Sequence, residues 1–142
     1  MKKKLKPSPD TQVLMQRLRR LGWILLGNQA LADKVLHDLF ETLPFDPDEL
    51  DDDGQILFRM AFAAFDHVTH GRTNISMMRP RNGGEGLEAR LRQLNPDERT
   101  AIAMMVVEPF SMSDTVAVTG RQQSTLAFAL KRAMIVLNED EL

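Results

Sequence analysis

The sequence contains no cysteine. That excludes a disulfide framework, a thiolate metal site and a thiol nucleophile, and it agrees with a reducing cytosol. There is no basic excess either: 18 Lys and Arg face 20 Asp and Glu, a formal net charge of −2. With a pI of about 5.9, nucleic-acid binding through overall electrostatics is excluded, and any such contact has to come from a local patch. No apolar run reaches the roughly 18 residues of a membrane span, since Arg17, Arg19 and Arg20 flank the most apolar stretch and Gly27-Asn28 ends it. Lys2, Lys3, Lys4 and Lys6 resemble the opening of a signal peptide, but no apolar core or small-residue cleavage site follows them. Residues 1–10 therefore read as a basic tail on a soluble, cytoplasmic protein. Strand-like alternation and internal repeats are also missing from the pattern.

What is present is helical periodicity. With 142 residues, 43% hydrophobic and 27% charged, the chain is long enough for a real core and has the composition of a folded protein. Val13, Leu14, Leu18, Leu21, Ile24 and Leu25 recur at steps of three and four, predicting a helix over 11–26 that stops at Gly27-Asn28. Leu31, Val35, Leu36, Leu39, Phe40 and Leu43 continue the pattern to Pro44, and the two helices read as a hairpin. Phe45 to Gly54 carries six acids and no base, which reads as a solvated loop. The helix expected at 55–69 has apolar residues on more than one stripe, so it is either central or turns one face to a partner.

From Gly71 to Gly86 the composition shifts to Gly, Asn, Arg, Pro and Ser, and the periodicity vanishes. Residues 71–86 are expected to be a linker between two small helical domains, 11–70 and 87–142. The second half reads as four helices, at 87–94, 96–107, 111–118 and 122–137. Asn95-Pro96 with Glu98 is a start signal: Asn caps, Pro suits the first turn, and Glu can reach back to a free N–H. Ser111 with Asp114 repeats the arrangement, and Gly120 falls where a tight turn needs positive φ. A helix-turn-helix is the natural reading of 111–137. The fold class is all-α.

Enzymatic and metal chemistry find little to work with. Asn82-Gly83-Gly84-Glu85-Gly86 has neither the Lys-Ser/Thr of a phosphate loop nor a preceding strand. Asp66, His67 and His70 crowd one helix end, but no further ligand is in view, so helix-end histidines are the better reading. Asp51-Asp52-Asp53-Gly54 fails as a calcium loop, because Met60 would stand where a bidentate Glu is needed. No cofactor, metal or small-molecule substrate is expected, and the chain does not read as an enzyme.

The order of elements resembles extracytoplasmic-function sigma factors, in which a three-helix region 2 and a helix-turn-helix region 4 are joined by a flexible linker. Leu18 to Gln29, followed by Ala32-Asp33-Lys34-Val35, looks like the family's opening hairpin. Leu94-Asn95-Pro96-Asp97-Glu98-Arg99 looks like the opening of region 4, and Leu130-Lys131-Arg132-Ala133 like the end of its recognition helix. The chain departs from the family where DNA is met. Phe65 to Arg72 has few bases, and Ala127-Phe128-Ala129 stands where cations usually face phosphates. In this it resembles the sigma-mimicking half of bacterial stress-response regulators, with Gln55 to Phe62 similar to their apolar helix.

The resemblance implies a non-enzymatic regulator of transcription initiation that binds an anti-sigma factor and/or core RNA polymerase. Arg20, Asp33, Asp38, Phe58, Arg59, Phe62 and Phe128 are its candidate partner contacts. The alternative is a working sigma factor reading promoter DNA with Arg121, Gln122, Gln123, Ser124 and Lys131. A helical interaction module unconnected with transcription is the third reading. On the mimic reading, charge reversal at Arg121 and Lys131 is expected to leave partner affinity unchanged, and Trp23 and Phe128 are expected in the core unless exposure of Phe128 marks an interface.

Overall fold

The computed structural model describes residues 9–46, 54–71 and 87–138, and among them every regular element is helical. We label the helices α1 (Pro9–Leu26), α2 (Gln29–Glu41), α3 (Gln55–Gly71), α4 (Leu87–Arg92), α5 (Pro96–Ile102), α6 (Met112–Thr119) and α7 (Gln123–Leu137). A π-helical segment, Ala103–Val107, runs on from α5. Residues 1–8 of the basic tail, most of the acidic loop and linker residues 72–86 lie outside the described residues, whereas Pro9 and Asp10 already belong to α1.

The helix ends follow local chemistry. The Asn28 side chain accepts the Leu31 N–H at 3.0 Å and starts α2. Asn95 and Glu98 exchange both bonds of a capping box, at 2.8 and 3.0 Å, and start α5. Ser111 accepts the Asp114 N–H and starts α6. That helix ends on Gly120, whose φ of 73° is a left-handed value that costs a side-chain-bearing residue energy. The chain then turns directly into α7.

The middle of α1 is where three helices converge. A Cβ on Gly22 would lie 2.6 Å from Ala32 Cβ of α2 and 2.6 Å from Phe65 Cζ of α3, so only glycine permits this approach. α3 is central. Its Leu57, Phe58, Ala61, Phe62 and Phe65 are all buried, which explains the width of its apolar stripe.

The segments on either side of 72–86 share one hydrophobic cluster. Leu18, Leu21, Leu25, Leu36, Phe58 and Phe65 belong to it together with Leu91, Leu94, Ile102, Met104, Val118 and Ala133. Polar contacts reinforce this union. Arg17 Nε donates to Glu108 Oε1 at 2.8 Å, and the Glu108 side chain is only 2% exposed. The same guanidinium covers Phe58 at 4.8 Å, and Phe58 meets Phe110 edge to face at 5.2 Å. Arg99 donates to the Leu25, Leu91 and Leu94 carbonyls, placing a cation where α1 and α4 end.

Candidate functional site

α7 buries Leu126, Ala129 and Ala133 and packs chiefly on α5. Those residues sit three and four apart and define its inner face. The outer face carries Ser124, Ala127, Phe128, Lys131, Arg132, Met134 and Ile135, all exposed. Phe128 is 65% and Ile135 59% exposed, large values for side chains of that size on one helix. The Arg132 guanidinium lies 5.9 Å over the Phe128 ring and its Nε reaches buried Glu98 at 3.4 Å. Among the described residues Lys131 pairs with no acid. The outer face of α7 is therefore mixed, with Ala127, Phe128, Met134 and Ile135 exposed beside Ser124, Arg132 and the unpaired Lys131.

Of the candidate DNA readers, Gln122, Gln123, Ser124 and Lys131 lie exposed at the start and outer side of α7. Arg121 does not. Its Nη2 donates to Asp66 Oδ1 at 2.9 Å, its Nη1 to Asp66 Oδ2 at 3.4 Å, and its Nε to Asp97 Oδ1 at 2.9 Å. The guanidinium also stands 5.4 Å over Phe62. Burial on its own would lower the Arg121 pKa, but the Asp66 and Asp97 carboxylates outweigh it and hold the pKa above its ordinary value. Charge reversal at Arg121 would thus set a third carboxylate against Asp66 and Asp97. That substitution would disturb the packing of α3 and α5 as well as any surface contact, so Lys131 is the cleaner position for the charge-reversal test.

The partner candidates separate in the same way. Phe58 and Phe62 are core residues of α3, not surface ones, because α3 is enclosed by α1, α2 and α6. Arg59 and Arg20 are exposed. Asp33 accepts both Arg19 Nε and Nη2, at 2.9 and 3.0 Å, and the Gln29 amide at 2.9 Å. The hydrogen bond from Arg19 is the main cause of its lowered pKa. Asp38 is exposed, and its pKa is lowered chiefly by the hydrogen bond from Lys34. Between α1 and α2 an open groove is lined by Met15, Leu36 and Phe40, with Arg19, Asp33, His37 and Glu41 at its rim. Trp23 is half-buried against the core.

His70 Nδ1 lies 2.9 Å from the Asp66 carbonyl, within its own helix end. Among the described residues no group of three His, Asp or Glu side chains is placed to hold a metal, and no helix is long and apolar enough to cross a membrane. Two anchors went unseen in the sequence, Arg17–Glu108 and Arg99. Partners 91 and 74 residues apart leave no local signal. No family model, curated protein or solved structure matches this chain.

Proposed function

We propose that this protein is a sigma-factor-like regulator that works by binding proteins of the sigma system, an anti-sigma factor or core RNA polymerase. The observation that carries the reading is the outer face of α7, where Phe128 and Ile135 stand in water. An exposed apolar patch rimmed by polar groups is the mark of a protein interface, and large aromatic side chains dominate the energetics of such surfaces. The groove between α1 and α2, with Asp33 at its rim, offers a second contact region, and Arg20 and Asp38 are exposed on the same two helices. Phosphate recognition, by contrast, has little to draw on in this state, with Arg121 engaged by two acids and Lys131 the one free cation on α7.

The test is a binding titration with purified anti-sigma proteins and core polymerase from a bacterial general-stress system. Phe128→Glu and Ile135→Glu are expected to weaken a complex at least tenfold while leaving the circular dichroism unchanged, because neither side chain is part of the core. Lys131→Glu is expected to leave the affinity within about threefold if protein contact is mainly apolar. A working sigma factor is the second reading, favoured by the exposure of Gln122, Gln123 and Ser124 at the start of α7. Sequence-selective, salt-sensitive promoter binding with core polymerase would establish it over the first. Binding to none of these components would leave a helical interaction module outside transcription.

A further inference from the structure

The segment Arg121 to Ser124 leads into α7, and its polar side chains are of the kind that contact a phosphate backbone when such an edge docks on nucleic acid. Gln122, Gln123 and Ser124 are open to solvent, and Lys131 follows on the same face two turns after Ser124. The one cation among the four leading residues is Arg121, and only 21% of its side chain is exposed. Two acids from separate elements hold it, Asp66 from the last turns of α3 and Asp97 from the first turn of α5. One carboxylate would neutralise the guanidinium. A second one turns the local charge negative, and the two together take up the planar fork of donors with which arginine grips phosphate.

We propose that Asp66 and Asp97 are a built-in mask over a phosphate-binding edge, holding Arg121 in place of a nucleic-acid backbone. With the mask in place Arg121 faces α3 and the edge repels polyanions. With the acids neutralised, Arg121 swings out beside Gln122, Gln123 and Ser124 and, with Lys131, binds backbone phosphates without regard to sequence. Such binding is conditional on whatever draws the acids away. The inference does not rest on the protein-binding reading, because Phe128 and Ile135 take no part in it.

The experiment measures fluorescence anisotropy of a short mixed-sequence DNA duplex with the full chain, across a salt series. The wild type is expected to bind barely at all. Asp66→Asn combined with Asp97→Asn is expected to bind about tenfold more tightly, with a salt slope steeper by about one phosphate contact. Adding Arg121→Gln to that pair is expected to abolish the gain. A control pair, Glu41→Gln with Asp114→Asn, changes the net charge equally but releases no arginine or lysine, and is expected to match the wild type.

The proposal is overturned if the control pair gains as much as the mask pair, if the gain survives Arg121→Gln, or if the wild type already binds strongly. It is also overturned if the folded mask pair binds no better than wild type. Should the double variant lose its helical circular dichroism, Asp66→Asn and Asp97→Asn are read singly. Each is then expected to gain about threefold, and absence of gain in both overturns the proposal.

Discussion

At Glu108 a carboxylate is withdrawn from water and neutralised by Arg17, which itself lies across Phe58 and Phe110. Removing one partner of such a pair leaves a buried charge uncompensated, so Arg17→Ala is expected to lower stability by about 3 kcal/mol. Urea denaturation measures this, and Arg17→Ala combined with Glu108→Ala should cost less than the sum of the two single changes. Gly22 sets two effects against each other. Alanine favours a helix by about 1 kcal/mol over glycine, yet its Cβ would meet Ala32 and Phe65 at 2.6 Å, and overpacking costs about 1–3 kcal/mol. The clash should win, so Gly22→Ala is expected to lower the denaturation midpoint.

Asp33 gives a pH dependence whose sign is fixed by its lowered pKa. The unfolded carboxyl binds a proton more readily than the folded one, so its contribution is present above the ordinary aspartate pKa and is lost as pH falls through the folded value. Asp33→Asn should therefore reduce stability at neutral pH and make no difference in strong acid. The effect will be small, because both partners are largely exposed.

Among the elements, helices were legible in the sequence wherever a cap or a left-handed residue marked their ends. Asn95-Pro96 with Glu98 is the clearest case, and Asn95→Ala is expected to cost about 1 kcal/mol by leaving the Glu98 N–H without its acceptor. Thermal denaturation reads it. The π segment after Ile102 carried no such signal, because Ala103-Met104-Met105-Val106-Val107 suits an α-helix equally well.

Which apolar faces turn inward was legible only in part. α3 and α7 are both apolar over more than one stripe, and tertiary packing decides between their faces. In α7 the signal was nonetheless present. Leu126, Ala129, Leu130, Ala133 and Leu137 complete an inner stripe at helical spacing, and Phe128 falls opposite it. Phe58 and Phe62 share a face with Phe65 and went to the core with it. The charge clamp at Arg121 could not be read, because Asp66 and Asp97 come to it from 55 and 24 residues away.

For the whole molecule, the shared cluster determines how it should unfold. A composition shift at 71–86 divides the sequence in two, yet Leu91, Leu94, Ile102, Met104 and Val118 find their burial in the same cluster as α1 and α3. Separated from residues 9–71, the second segment would expose these side chains, each worth about 1.5–3 kcal/mol of burial. It would also lose the Arg17 partner of Glu108 and the Asp66 partner of Arg121. Since whole domains are stable by only about 5–15 kcal/mol, residues 87–142 expressed alone are expected to lose cooperative unfolding and well-dispersed amide resonances. The full chain should then show a single transition, coincident by circular dichroism and by Trp23 fluorescence. A core truncation in one segment should be felt in the other. Phe58→Ala is expected to lower amide hydrogen-exchange protection in α5 and α6 as much as in α1, because Phe58 packs beside Phe110 and the Arg17–Glu108 pair that join them. Two separate transitions, or protection lost in α1 alone, would mean that the segments fold independently and only touch.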